Sequence, residues 1–284
     1  MIESLTIDHE NYPPLLRHIF DPPPLLYVWG NANILKTECF AVVGTRAHTE
    51  YGKRSVQDLT RALCRAGFTI VSGLALGIDS MAHTIALEEK KPTIAVFGGG
   101  LNKDRWYPPQ NKKLAQRILD EGGLLISEQS QDVRAQIFTF PKRNRIISGM
   151  SKGVLVVEGD IKSGTMVTAK CALDQGRDVF SVPGSIYASK SAGTNYLIQK
   201  GAKLVAKPED ILEEYGIYLQ TAKIQGSNAN EEAILKALGD DALTPDEIIR
   251  ESGLDTSVAT STLMVMEMEK KVRNLGNGKF VVYS

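Results

Sequence analysis

From residue 39 onward, short apolar runs recur at the spacing of a repeating strand–helix unit: residues 39–43, 68–71, 93–97, 124–127, 154–157, 178–182 and 203–206. Apolar residues within each run are continuous rather than alternating, which predicts strands covered on both faces. Helical patterns fill most of the gaps, over 51–66, 78–90, 111–120, 164–175 and 194–200. Gly67, Gly122, Gly176 and Gly201 stand where a C′ glycine would end four of those helices. Strand and helix in alternation predict an α/β fold, a mostly parallel sheet with helices on both faces. In such folds ligands sit at the carboxyl ends of the strands.

Residues 1–38 read as an irregular lead-in. Pro13-Pro14 and Pro22-Pro23-Pro24 forbid long helices there, and Leu25 to Trp29 are apolar enough to pack on the main domain. That domain is expected over 39–216 and a polar linker over 217–229. A separate module occupies 230–284. A helix over 231–238 precedes a capping box at Thr244-Pro245-Asp246-Glu247, with Gly253 closing the second helix. A third helix over 256–271 and two short strands about Gly276-Asn277-Gly278 complete the pattern of a winged helix. No apolar stretch approaches the ~20 residues a membrane span needs. Residues 1–10 show no signal-peptide core, so a cytoplasmic protein is expected. Cys39, Cys64 and Cys171 lie far apart, which argues against a disulfide framework and against a metal site.

Five strand ends carry glycine or small hydroxyl residues: Gly44-Thr45-Arg46, Ser72-Gly73, Gly98-Gly99-Gly100, Gly159 with Ser163-Gly164-Thr165, and Pro183-Gly184. Several such ends on one edge suggest backbone shaped to lie close to a ligand. Backbone amides with the Arg46 guanidinium suit a phosphate, and the amides that open a helix at Ser163-Gly164-Thr165 suit an anion. A surface arginine and a simple N-cap serine are the structural alternatives. Neither a dinucleotide fingerprint nor a Walker loop is present, so NAD and ATP are poor candidates. The chain has 33 basic and 33 acidic residues, so any nucleic-acid role must rest on a local patch. One such patch is Phe138-Thr139-Phe140-Pro141-Lys142-Arg143-Asn144-Arg145. Between Asp132 and Glu158 five basic residues (Arg134, Lys142, Arg143, Arg145 and Lys152) meet no acid. Cations that track a backbone, beside aromatics on which bases stack, are what single-strand binding needs. Ile146-Ile147 shows that this segment also packs inward, so Asn144 and one arginine are candidates for internal bracing.

Asp79 and His83 stand four apart and invite an acid–base assignment; a structural histidine near a helix start is the stronger expectation. Glu128 and Glu158 each follow an apolar strand. A nucleotide-cleaving hydrolase that uses those two carboxylates is the alternative to a binding protein. The module over 230–284 holds six Lys/Arg and ten Asp/Glu, a balance of minus four. That charge favours a protein contact over a DNA reader, although the winged-helix pattern itself suggests DNA.

In combination these residues resemble the DprA/Smf family of DNA-processing proteins. Residues 41–46 (AVVGTR), Tyr51-Gly52, Val71 to Ala75, Gly77-Ile78-Asp79 and Ala82-His83 carry the resemblance. So do Tyr107-Pro108, Ser127-Glu128, Phe140-Pro141 with Arg143 to Ile147, Ser163 to Thr165, Val182 to Gly184 and Gly193 to Asn195. The likeness spans roughly residues 11–215, and the C-terminal module is similar to the winged helix of many members. One departure is the longer 102–106 insert after Gly98-Gly99-Gly100-Leu101. The resemblance implies an extended Rossmann-like fold that binds single-stranded DNA without sequence preference. It further implies a role in natural transformation, help in loading the RecA recombinase, homodimers, and no cofactor or catalytic residue. It places the DNA pocket on Arg46 and Lys142 to Arg145, with Gly44, Thr45, Ser72, Gly73, Phe140 and Ser163-Gly164-Thr165 around it.

Overall fold

The computed structural model describes residues 1–218, 225–239, 241–276 and 278–282. The chain divides into two compact units, Met1–Leu219 and Gln220–Ser284.

In the first unit the elements run in the order β1 (Ile2–Thr6), α1 (Pro14–Arg17), β2 (Leu25–Gly30), β3 (Cys39–Val43), α2 (Glu50–Arg65), β4 (Thr69–Ser72), α3 (Ile78–Glu88) and β5 (Thr93–Val96). They continue with α4 (Lys112–Asp120), β6 (Leu124–Ser127), α5 (Thr139–Gly149), β7 (Gly153–Val156), α6 (Gly164–Asp174), β8 (Asp178–Ser181), α7 (Ser189–Gln199), β9 (Lys203–Leu204) and α8 (Glu209–Leu212). Nine strands form one sheet in the order β1-β2-β6-β5-β4-β3-β7-β8-β9. The pairs from β6 to β9 are parallel; β1–β2 and β2–β6 are antiparallel.

The strands were legible because both faces of the sheet are covered. Cys39, Ala41 and Val43 of β3 pack on one side with Ile146 and Ile147 of α5 and Ala169 and Ala172 of α6. Phe40 and Val42 pack on the other with Val56, Leu59 and Leu63 of α2 and Ile78 and Ile85 of α3. Strand residues alternate between the faces, so an apolar run without interruption is what a two-sided core selects.

The lead-in is a correction. Residues 1–38 are not irregular: β1 and β2 extend the sheet as an antiparallel ribbon on β6. β1 (IESLT) buries only Leu5 because it lies at the sheet edge, so it lacks the apolar run that marks a central strand. The helix expected over 194–200 begins at Ser189, and the basic stretch, for which no helix was expected, forms α5, an eleven-residue helix.

The second unit holds α9 (Ala229–Leu238), α10 (Pro245–Ser252), α11 (Thr256–Met268) and the antiparallel pair β10 (Val272–Asn274) and β11 (Phe280–Val282). The three helices and hairpin match the expected winged helix. Ile234, Leu238, Ile248, Leu263, Met266 and Val272 form its core. The Thr244 hydroxyl accepts from the Glu247 amide while the Glu247 carboxylate accepts from the Thr244 amide, so the capping box is complete. Of the expected 217–229 linker, residues 219–224 lie outside the described residues, as does Asn277 of the expected turn.

Candidate nucleic-acid interface

From β3 the chain moves outward through β4, β5 and β6, then returns to β7 and moves outward the other way through β8 and β9. The connection after β3 leads to a helix on one face, and that after β7 to a helix on the other. This reversal leaves a crevice at the carboxyl ends of β3 and β7, the place where such sheets hold ligands. Helix α5 returns the chain from the carboxyl edge to the start of β7, and its first turns stand at that edge beside the ends of β4 and β5.

Beside that reversal, over the carboxyl ends of β3, β4 and β5, a cavity opens. Its lining comes from the β3 loop (Arg46), the β4 loop (Gly73, Ala75 and Leu76), the β5 loop (Gly98), Tyr107-Pro108 and α5 (Phe140 and Arg143). Arg46 is exposed, and its guanidinium lies 5.9 Å from the Phe140 ring centre. Arg143 approaches the same ring, also at 5.9 Å. Tyr107 and Phe140 face each other at 5.8 Å between centres. Two cations and two aromatics thus share one concave surface.

Arg143 is 6 % exposed. Its Nη1 donates to the Gly73 carbonyl at 2.6 Å and the Val96 carbonyl at 2.5 Å, and Nε donates to Asn144 Oδ1 at 3.1 Å. The guanidinium therefore bridges the ends of β4 and β5. Burial lowers its pKa to about 10, against the pull of the Asp79 carboxylate, with Arg46 adding to the lowering. It remains a cation at neutral pH. Burial raises the Asp79 pKa, while Arg143 and a hydrogen bond from the Gly73 amide (3.1 Å) oppose the rise. A side chain at Gly73 would meet Arg143 Nη1 at 2.5 Å, so this close approach requires glycine. Gly77 has φ +80, and a Cβ there would sit 2.3 Å from the Thr45 carbonyl; the Arg46 loop rests on it.

These contacts revise the reading of the glycine-rich strand ends. The space beside Gly44 is filled by Ile78, that beside Gly98 by Phe140, and that beside Gly100 by the backbone of residues 130–131. The glycines make room for the protein's own side chains and loops, which in turn form the surface. Gly164 alone among these candidates faces open space.

Of the other expected residues, Ser72 is buried and its hydroxyl donates to the Val42 carbonyl. Asn144 is buried with Nδ2 donating to the Gly164 carbonyl, the internal brace anticipated from the sequence. Thr45 Oγ1 accepts from the Ala47 amide, which shapes the loop. Lys142 is exposed on α5 outside the cavity lining. Ser163-Gly164-Thr165 does open α6, but Ser163 makes no N-cap bond and the triplet does not line the cavity. Arg145 is turned away: it pairs with Glu128 at 2.5 Å and with Asp21. Lys152 pairs with Glu38 at the start of β3, the opposite edge of the sheet. The basic stretch is thus divided by its helix, which sends neighbouring cations in different directions.

The acid–base candidates separate too. Glu128 and Glu158 follow the ends of β6 and β7, four strand spacings or roughly 19 Å apart. Glu158 accepts from the Thr49 amide and hydroxyl at the start of α2, and Glu128 holds Arg145. Neither arrangement places the two carboxylates about one substrate bond. His83 Nδ1 lies 2.8 Å from the Thr93 hydroxyl, and burial lowers its pKa to about 3. It is a neutral core residue.

Sequence reasoning passed over Tyr107 as a lining residue, although its Tyr-Pro pair was noted. It also passed over Arg105 and Lys112, which with Arg134 line a second crevice that shares Tyr107 with the first. Their signal was a cation on either side of an exposed aromatic, within the 102–112 stretch.

A family model described as DNA recombination-mediator protein A matches residues 3–216, and one described as the DprA winged helix domain matches residues 220–278. Protein Smf of Escherichia coli is 40% identical over 272 residues, covering 92% of this chain and 72% of that protein. The DNA processing protein DprA of Bacillus subtilis is 45% identical over 214 residues, 75% of this chain and 71% of that one. Among solved structures, DNA processing protein A of Streptococcus pneumoniae superposes with a TM-score of 0.71 at 43% identity, covering 76% of this chain and 75% of that chain. DNA processing protein A of Helicobacter pylori, whose structure concerns its single-stranded DNA binding mode, gives 0.68 at 33% identity, with coverage of 76% and 95%.

Proposed function

The chain belongs to the DNA recombination-mediator protein A (DprA/Smf) family, and from that premise we propose that it binds single-stranded DNA at the cavity over the carboxyl ends of β3, β4 and β5, without sequence preference, in the processing of DNA taken up in transformation. The observation that carries this is the meeting of Arg46 and Arg143 over the Phe140 ring, with Tyr107 opposite. Cations give the backbone its counter-charge, and ring faces accept any base. Arg46 is the direct phosphate ligand. Arg143, held by two carbonyls, supplies a fixed positive field beneath it.

Fluorescence anisotropy with single- and double-stranded oligonucleotides across a salt series tests the proposal. With about five phosphates neutralised, log affinity falls with log salt at a slope of about −3.5. Salt-insensitive binding, or a preference for one base sequence, contradicts it.

Loading of RecA on the bound strand and assembly as a homodimer belong to the same proposal. Faster RecA filament growth in the presence of the protein, and a sedimentation mass twice that of the chain, are the expected results. The second unit serves as a protein contact. Its α11 carries no Lys or Arg, and its outward residues include Met264, Val265 and Met268, the last 85 % exposed. Such an apolar, cation-free helix suits another protein better than a phosphate backbone.

A further inference from the structure

We propose that Arg145, two residues from Arg143 on α5, is a positioning residue: its pairing with Glu128 and Asp21 fastens the N-terminal segment to the back of α5 and so holds Phe140 and Arg143 at the cavity. This rests on the single-strand-binding proposal above.

Residues two apart on a helix point about 200° from each other. Arg143 reaches under the sheet edge; Arg145 reaches the opposite way. Its Nη2 donates to Glu128 Oε2 at 2.5 Å, its Nη1 donates to the Asp21 carbonyl at 2.5 Å, and its Nε stands 3.4 Å from Asp21 Oδ2. Glu128 directly follows β6, so one guanidinium ties α5 to both the sheet and the segment after α1. That segment is itself closed, since the Tyr12 hydroxyl donates to the Pro23 carbonyl at 2.7 Å.

Two further contacts place α1, just before that segment, on α5. Arg177 Nη2 donates to the carbonyls of Leu15 and Gly149, and a Cβ at Gly149 would lie 2.8 Å from Leu16 Cδ1. The helix is thus gripped from behind along its second half while its first turns carry the cavity residues. Both side chains of the Arg145–Glu128 pair are largely buried, at 16% and 13% exposure, so the pair is a fixed contact rather than a surface one.

A positioning role and a phosphate contact predict opposite signs. If Arg145 reached DNA and Glu128 merely held it back, Glu128→Gln would free a cation. Binding would then tighten and the salt slope would steepen by about 0.7, the increment for one phosphate on a single strand. In the positioning role Glu128→Gln removes a negative charge and yet weakens binding several-fold at every salt concentration, with the slope unchanged.

The experiment uses the full chain and an oligothymidylate probe in anisotropy titrations over a salt series, for wild type, Glu128→Gln, Arg145→Gln and Arg46→Ala. Glu128→Gln is isosteric and guards against loss of fold in Arg145→Gln. The expected result is weaker binding at constant slope for the first two variants and a slope shallower by about 0.7 for Arg46→Ala. Tighter binding, a steeper slope or an unaltered affinity in Glu128→Gln overturns the positioning role. Amide hydrogen exchange on the same proteins without DNA is the second measurement. Faster exchange over residues 14–23 and 139–149 in Glu128→Gln supports the clasp; unaltered exchange overturns it. If the wild type fails to bind the probe while exchange responds as expected, the clasp stands and the DNA-binding proposal falls.

Discussion

Arg143 and Gly73 are fitted to each other at the scale of single atoms. The guanidinium occupies the volume a Cβ would need, and its donated bonds join the ends of two strands. Gly73→Ala is therefore expected to destabilise the first unit by about 1–3 kcal/mol through overpacking. It should also weaken single-strand binding, as thermal melts and anisotropy can check; an unaltered affinity would mean that Arg143 has no part in the site. His83 gives a pH prediction. Its folded-state pKa lies near 3, below the ordinary value of 6.5, so the unfolded chain takes up a proton that the fold refuses. The neutral histidine imposes no penalty above pH 6.5, and stability falls as pH drops from there towards 3, by up to about 1.4 kcal/mol per pH unit. His83→Asn should lose stability less steeply over pH 6.5 to 4 in denaturant melts, and an equal slope would contradict the assignment.

Secondary elements differed in how openly the sequence displayed them. β3 to β8 were plain because a sheet covered on both sides leaves no polar gaps in its strands. Helix α5 was not. The residues it turns inward include Arg143 and Asn144, which satisfy buried carbonyls, so its apolar period is broken at the positions that carry the chemistry. Arg46, Gly73, Phe140 and Arg143, expected together from the sequence, line one cavity, but without the helix the opposite direction of Arg145 could not be read. Tyr107 was hidden differently: it reaches the cavity from a long connection that has no periodicity to place it. Helix α10 shows the converse case, a capping box legible from Thr244 and Glu247 alone. Thr244→Ala should lower the stability of the second unit by about 1 kcal/mol. Calorimetry checks this, and an unaltered midpoint would contradict the stabilising role of the capping box.

Across the whole molecule, charge neutrality conceals an uneven distribution. The module over 230–284 carries ten acidic and six basic residues, which leaves the remainder with an excess of cations. The proposed DNA site lies in the first unit, so a chain ending at residue 219 should retain most of its affinity for single strands in anisotropy titrations; loss of that affinity would move the site to the second unit. The most direct test of the central claim is photocrosslinking of a 5-iodouracil oligonucleotide to the full chain, with the joined peptides identified by mass spectrometry. Crosslinks at Tyr107 and Phe140, competed away by unlabelled single strands, are the predicted result. Crosslinks confined to residues 225–284, or to the amino edge of the sheet around Glu38 and Lys152, would contradict it.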